Sequence, residues 1–278
     1  MDIQEQNRRL LKTIYTCFPE GKHKVLTMSY DDGRTYDRQL VEIFNKYGIK
    51  GTFHLNSGIG SEYGGRIPMS EVKELYKGHE VSCHTYTHPT IARCPMDQVI
   101  QQIILDRRIL EEACGYPVRG MSYPNGSYTK EIVDILPACG IEYCRVVGST
   151  DDFAMPENFL VWKSTCHHNH NLMQNAERFA NLHKKQYLYM MYVWGHSYEF
   201  APENGNNWDL IEGFCKYIGG RDDIWYATNI EIVDYMNAAK NLKFGAAGNI
   251  VYNPSSTPVW ISVNERTVKI DGGATVEL

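Results

Sequence analysis

Short β-branched runs alternating with longer amphipathic segments constrain the architecture of this chain more than any other feature. Lys24–Tyr30 reads as a buried strand, followed by a helix over Tyr36–Tyr47 in which Leu40, Ile43, Phe44 and Tyr47 share one face. Gly48 supplies the stop. Further strands are predicted at Gly51–Asn56, Glu80–His84, Val118–Tyr123, Ile141–Val147, Phe159–Thr165, Gln186–Trp194 and Trp225–Thr228. The intervening helices are predicted over Met96–Ala113, Thr129–Ala138, Met173–His183, Asp209–Ile218 and Ile230–Ala239. Such alternation calls for parallel strands joined by helical crossovers. Seven or eight units, with no G-x-G-x-x-G after the first strand, favour a distorted (β/α)7-type barrel over an open doubly wound sheet.

The period changes after Leu242. Val251-Tyr252, Val259–Val263, Thr267–Ile270 and Thr275–Leu278 alternate at strand spacing, broken by Asn253-Pro254, Asn264-Glu265 and Gly272-Gly273. The chain therefore divides into a barrel domain, residues 1–242, and a small C-terminal antiparallel β appendage, residues 243–278. Two or three strands alone are marginal, so the appendage is expected to pack on the barrel.

A length of 278 residues is enough for one such core. The net charge of −5, without a Lys/Arg run or stripe, argues against a nucleic-acid partner. No window is apolar enough to span a membrane, and no apolar stretch follows the basic residues of Met1–Leu10. The expected location is cytoplasmic. Eight cysteines scattered without a C-x-x-C pair read as reduced, mostly buried thiols.

Polar groups gather where strands end, the position that carries function in a (β/α) barrel. Asp31-Asp32 closes the first strand, His84 and His88 follow the third, Arg119 and Tyr123–Gly126 flank the fourth, and His196 ends the strand of Tyr187–Trp194. Either aspartate alone is an ordinary helix cap, and a pair of histidines four apart is weak evidence by itself. Together they supply a carboxylate and two imidazoles, enough for a catalytic metal with positions left for water, and a second carboxylate to act as base.

Ser29-Tyr30-Asp31-Asp32-Gly33 and His84-Thr85-Tyr86-Thr87-His88 resemble the T-F-D-D-G and H-[ST]-x-x-H motifs of the polysaccharide deacetylase family, carbohydrate esterase family four. The resemblance runs from about Val25 to Asp234. It implies a metal-dependent deacetylase of acetylated carbohydrates. Asp32, His84 and His88 would hold a divalent ion, zinc being the expected one, with Asp31 as general base. The strand Tyr189–His196 matches the family's fifth motif and makes His196 the general acid. The family's compact R-x-P-[YF] segment corresponds to the longer Arg119–Gly126, so Arg119 is expected to orient Asp31 and the amide of Tyr123 or a neighbour to bind the oxyanion. Tyr123, Asn125 and Trp194 are the candidate substrate contacts. For the family's acidic-Trp motif, Asp151-Asp152 and Trp162 are the candidates.

Cys166-His167-His168-Asn169-His170 also looks like a metal cluster, but consecutive positions cannot all converge on one ion, and one of these histidines lining the cleft is the better expectation. The rivals are a non-haem iron oxygenase, a silent carbohydrate-binding module, and a cyclic amide hydrolase on the same scaffold. Iron oxygenases usually place H-x-D on an all-β frame. A silent module would lack Asp31 or His196, and a metal-free amide hydrolase would have lost the ligands that this chain keeps.

Overall fold

The computed structural model describes residues 11–60 and 65–278. The segment Met1–Leu10, on which the reading of the N-terminus rests, lies outside them. A short strand, β1 (Ile14–Cys17), precedes β2 (Lys24–Asp31), all of whose residues are buried. Then follow α1 (Asp37–Lys46), β3 (Gly51–Leu55), α2 (Val72–Leu75), β4 (Glu80–Cys83), α3 (Met96–Cys114), β5 (Gly120–Ser122), α4 (Lys130–Ile135) and β6 (Tyr143–Arg145). The second half adds β7 (Cys166–His167), α5 (Leu172–Ala180), β8 (Tyr189–His196), α6 (Trp208–Ile218), β9 (Ile224–Tyr226) and α7 (Asn229–Lys240). The strands pair in the order β6-β5-β4-β3-β2-β8-β7, all parallel, and β9 pairs with the first residues of β2. This is the expected curled (β/α)7-type sheet with helical crossovers.

Local sequence explains the helices. In α3 the buried positions Val99, Ile103, Asp106, Leu110 and Cys114 recur at helical spacing, and Gly115 ends the helix at φ +83°. Thr228 and Glu231 form a capping box at the start of α7.

The predicted strand Phe159–Thr165 is not continuous. Asn158 caps a tight turn over Phe159–Val161, Trp162 bridges to Arg145 on β6, and the Thr165 amide donates to Tyr192 on β8. This stretch must change partners from one sheet edge to the other, so it cannot keep a regular ladder. All eight cysteines are free and seven are buried, as expected of reduced thiols. Among the described residues no helix is long and apolar enough to cross a membrane.

The appendage contains β10 (Lys243–Phe244), β11 (Ile250–Tyr252), β12 (Val259–Val263), β13 (Arg266–Ile270) and β14 (Thr275–Glu277). They form two antiparallel sheets, β10-β11-β14 and β1-β12-β13. The second sheet takes β1 from ahead of the barrel, so residues 14–17 serve the appendage although the expected boundary assigns them to the barrel. Val251, Val259, Ile261, Val263 and Ile270 are buried in one cluster with Phe18, Tyr192, Ile232 and Tyr235. A buried aliphatic side chain contributes about 1.5–3 kcal/mol. Deleting Val251–Leu278 therefore removes a large part of the roughly 5–15 kcal/mol that holds a domain together. The truncated chain is expected to melt far below the full chain or to precipitate; an unchanged melting temperature would show that the appendage is independent.

Glu80, at the start of β4, ties the opposite end of the barrel together. Its carboxylate accepts from Tyr143 Oη (2.7 Å), Thr52 Oγ1 (3.0 Å) and the Ile230 amide (2.9 Å) at the start of α7. Burial outweighs these donors and pushes its pKa up to about 7. A carboxyl raised on folding gives stability that is complete below the unfolded value and is lost as pH rises through the folded one. Glu80 thus favours the folded state most below about pH 4, and that contribution, up to about 3 kcal/mol by linkage, disappears by about pH 8. Unfolding by urea from pH 5 to 8.5 should show wild type losing more stability than Glu80→Gln; parallel curves would contradict this.

Candidate active site

The C-terminal ends of the strands converge on one mouth. β2 delivers Asp31, and the chain then turns at Asp32, which has φ +81°. After β4, Thr85 and His88 also lie at positive φ, +65° and +56°. Non-glycine residues occupy this region at a cost and persist where the surroundings over-determine them. Here a buttress does so. Asn56 Nδ2 donates to the carbonyls of His84 (2.6 Å) and Thr85 (2.9 Å). Arg66 Nη1 donates to Asn56 Oδ1 (3.0 Å) and to the Asp32 carbonyl. Asp106 of α3 accepts from the Ser57 amide and hydroxyl and from the His84 amide (3.0 Å).

Asp32, His84 and His88 offer ligand atoms that all lie within 4.8 Å of one another. His84 Nδ1 lies 3.0 Å from the Ser122 carbonyl and 2.7 Å from Ser122 Oγ; with that hydroxyl donating to Asp31, both are acceptors, which assigns the ring proton to Nδ1 and leaves Nε2 for an ion. Burial also lowers the His84 pKa to about 4, against the pull of Asp31, so the ring is neutral at pH 7. Two imidazoles and a carboxylate oxygen suit a zinc-like ion with open positions.

Asp31 sits beside this set, with Oδ2 3.7 Å from His84 Nε2. Ser122 Oγ donates to its Oδ1 (3.1 Å), and the fully buried Arg145 of β6 pairs with its Oδ2. Burial alone would raise this carboxyl; Arg145, with His84 and His54, holds it well below the usual carboxylate range. Arg119, expected here, is elsewhere. It forms a fork with Asp234 (2.8 and 2.6 Å) and reaches Glu142 (3.1 Å), because it precedes β5 at the opposite end of the strand from Ser122. Arg145 was legible only as a lone charge in an apolar run, Tyr143-Cys144-Arg145-Val146-Val147, a charge that once buried must be paired.

On the other side, β8 ends at His196, paired in register with Asp31. Both its amide (2.9 Å) and its Nδ1 (3.2 Å) meet Glu199 Oε2. Burial would lower the His196 pKa, but Glu199 and Asp31 raise it. The expected acidic-Trp candidates do not take this place. Asp151 holds His170 and Asn175, and Trp162 is a core residue packed on Tyr143 and Tyr192.

Of the substrate contacts predicted from the sequence, Asn125 is exposed at the rim, with Nδ2 on Thr90 Oγ1 (3.1 Å). Tyr123 is fully buried, its hydroxyl donating to Leu160 and its amide to the Arg145 carbonyl (3.0 Å), so neither group faces the mouth. The next amide is that of Asn125, which lies in the turn Pro124–Gly126 at φ +54°. Trp194 is covered rather than presented. Its ring lies over the Arg145 guanidinium (4.3 Å), and its Nε1 donates to Gly148.

Residues 19–144 match the polysaccharide deacetylase family model. A chitooligosaccharide deacetylase from Bradyrhizobium is 25% identical over 52% of this chain and 60% of its own length. The matched stretches cover 37%, 60% and 16% of three curated relatives, so the chain spans less than two thirds of each. A Mycobacterium smegmatis structure provisionally described as a polysaccharide deacetylase superposes with a TM-score of 0.61 at 14% identity, covering 83% of this chain and 96% of that one. A family 4 carbohydrate esterase from Streptomyces lividans, in complex with acetate, gives 0.52 at 14% identity over 73% and 91%.

Proposed function

We propose that this chain, whose residues 19–144 match the polysaccharide deacetylase family model, is a metal-dependent hydrolase removing acetyl groups from acetylated sugars or oligosaccharides. The observation that carries this reading is the Asp32, His84 and His88 set at the mouth, with Asp31 and His196, register partners on β2 and β8, beside it.

Asp32, His84 Nε2 and His88 would hold the ion, for which zinc suits the donors. When bound, it supplies Lewis acidity toward a water and the acetyl carbonyl. Asp31 accepts the proton of the attacking water. With Arg145 against it, Asp31 is a weak base, so the ion, when bound, would have to acidify the water from which Asp31 takes the proton. Charge developing on the former carbonyl oxygen meets the Asn125 amide. His196, with Nδ1 held by Glu199, carries its transferable proton on Nε2 and passes it to the departing amine nitrogen. Arg145 and Glu199 act through Asp31 and His196 and are positioning residues.

The test is free-amine release from N-acetylglucosamine oligomers, beside acetate release from acetylated xylan and ring opening of allantoin. Amine release that a chelator abolishes and zinc restores is the expected result. Full turnover after chelation would overturn the metal-dependent reading, and turnover of allantoin alone would identify a cyclic amide hydrolase.

A further inference from the structure

The histidines after the Trp162–Thr165 stretch do what consecutive strand residues should not. β7 ends at His167, and the His170 amide turns back onto the His167 carbonyl (2.8 Å), so side-chain alternation stops there. His167 Nε2 and His168 Nε2 then approach the same atom, Glu199 Oε2, at 3.1 and 3.2 Å. We infer that His167, His168 and Glu199 form a second metal site, separate from Asp32, His84 and His88, that takes a zinc-class transition ion.

Three observations carry it. First, the spacing is that of co-ligands. Ligands about 2.0–2.2 Å from a tetrahedral ion lie roughly 3.2–3.6 Å apart. Second, His168 is fully buried, yet neither of its ring nitrogens has a hydrogen-bond partner. Its Nε2 lies 3.2 Å from the Glu199 carboxylate oxygen without being aligned to donate to it. Such a buried orphan nitrogen needs an explanation. Third, the ring is fixed. It stacks on Tyr30 (5.7 Å between centroids, 14° between planes), packs on Phe200 (4.2 Å) and fits only because residue 195 is glycine: a Cβ there would lie 2.0 Å from His168 Nδ1. A neutral ring held in this way is a preorganised donor, and two imidazoles with a carboxylate select zinc, cobalt, nickel or copper over magnesium or calcium.

This site is the weaker of the two. His167 Nδ1 accepts the Asn169 amide (3.1 Å), so binding through Nε2 moves the ring proton to Nδ1 and opens that contact. His84 needs no such change, because its Nδ1 already faces a carbonyl. Outer partners of this kind are worth about 10–100-fold in metal affinity. Since Glu199 Oε2 also anchors His196, an ion there competes for the atom that positions the proton donor.

The experiment is a titration of ion-free full-length protein with zinc, read by native mass spectrometry and by competition with a chromophoric chelator. Wild type is expected to take two ions, the second at least about tenfold more weakly. His167→Asn, a change at a partly exposed side chain, and Glu199→Gln should each keep the tight ion and lose the weak one. Asp32→Ala should keep only the weak one. A wild-type chain that stops at one ion under large excess overturns the inference, as does a second ion that persists in His167→Asn.

Discussion

Replacing Asp31 with Asn should leave the ion bound while turnover falls by roughly 10²–10⁴, the usual worth of a general base. Asp32→Ala should do the opposite first: metal affinity falls, and activity with it, because a charged donor is gone. The two aspartates are neighbours in sequence, but only Asp31 is clamped by Ser122 and Arg145, while Asp32 turns away at φ +81° toward His88 and Arg66. His196→Ala should resemble Asp31→Asn, with metal retained and amine release lost. Metal content and initial rate measured side by side decide the matter. An active Asp31→Asn enzyme would sink the mechanism, and a metal-free one would mean that the two roles are exchanged.

Among single substitutions, the largest stability effect should come from Arg145→Met. The guanidinium is fully buried between Asp31 and the Trp194 ring, and its removal leaves a buried carboxylate without its counter-charge. Breaking one half of a buried pair typically costs about 3–5 kcal/mol. The pH dependence should change as well. In wild type Asp31 is depressed, so its contribution is present above the ordinary carboxylate range and is lost as pH falls below it. Without Arg145 the cost of burying the charge dominates, the carboxyl pKa rises, and the variant should regain relative stability in mild acid. The double variant Asp31→Asn/Arg145→Met removes both charges and should recover much of the loss, because the cost belongs to the unpaired charge. Urea unfolding of the four proteins closes the cycle. Strictly additive losses would show that the two side chains do not depend on each other.

Some of the site was open to reading from the chain and some was not, along a physical line. The Asp31-Asp32 pair and the His84 and His88 spacing are local patterns, complete within five residues each, and strand-end placement follows from the alternation around them. Arg119 was the wrong arginine for a reason that spacing does not contain. It lies before β5 and Arg145 at the end of β6, and only the second position opens toward Asp31. Glu199 was passed over because the turn Ser197–Phe200, which aims it back at His196, leaves no mark distinct from any short polar loop. The expectation that consecutive residues cannot all converge on one ion took no account of where the strand ends, which is between His167 and His168.

What the amino-acid sequence by itself made legible is most of the barrel's strands and helices, the order in which they follow, and the local Asp31-Asp32 and His84–His88 patterns. These depend on periodicity and on residues close in the chain, where backbone geometry transmits position directly. The tertiary structure alone decided which buried charges meet. Arg145 and Asp31 are 114 residues apart, and Ser122 and Asp31 are 91. Whether such groups face each other depends on how a curled sheet brings strand ends together. Burial makes the correct pairing worth several kcal/mol, but nothing local in the chain records the partner.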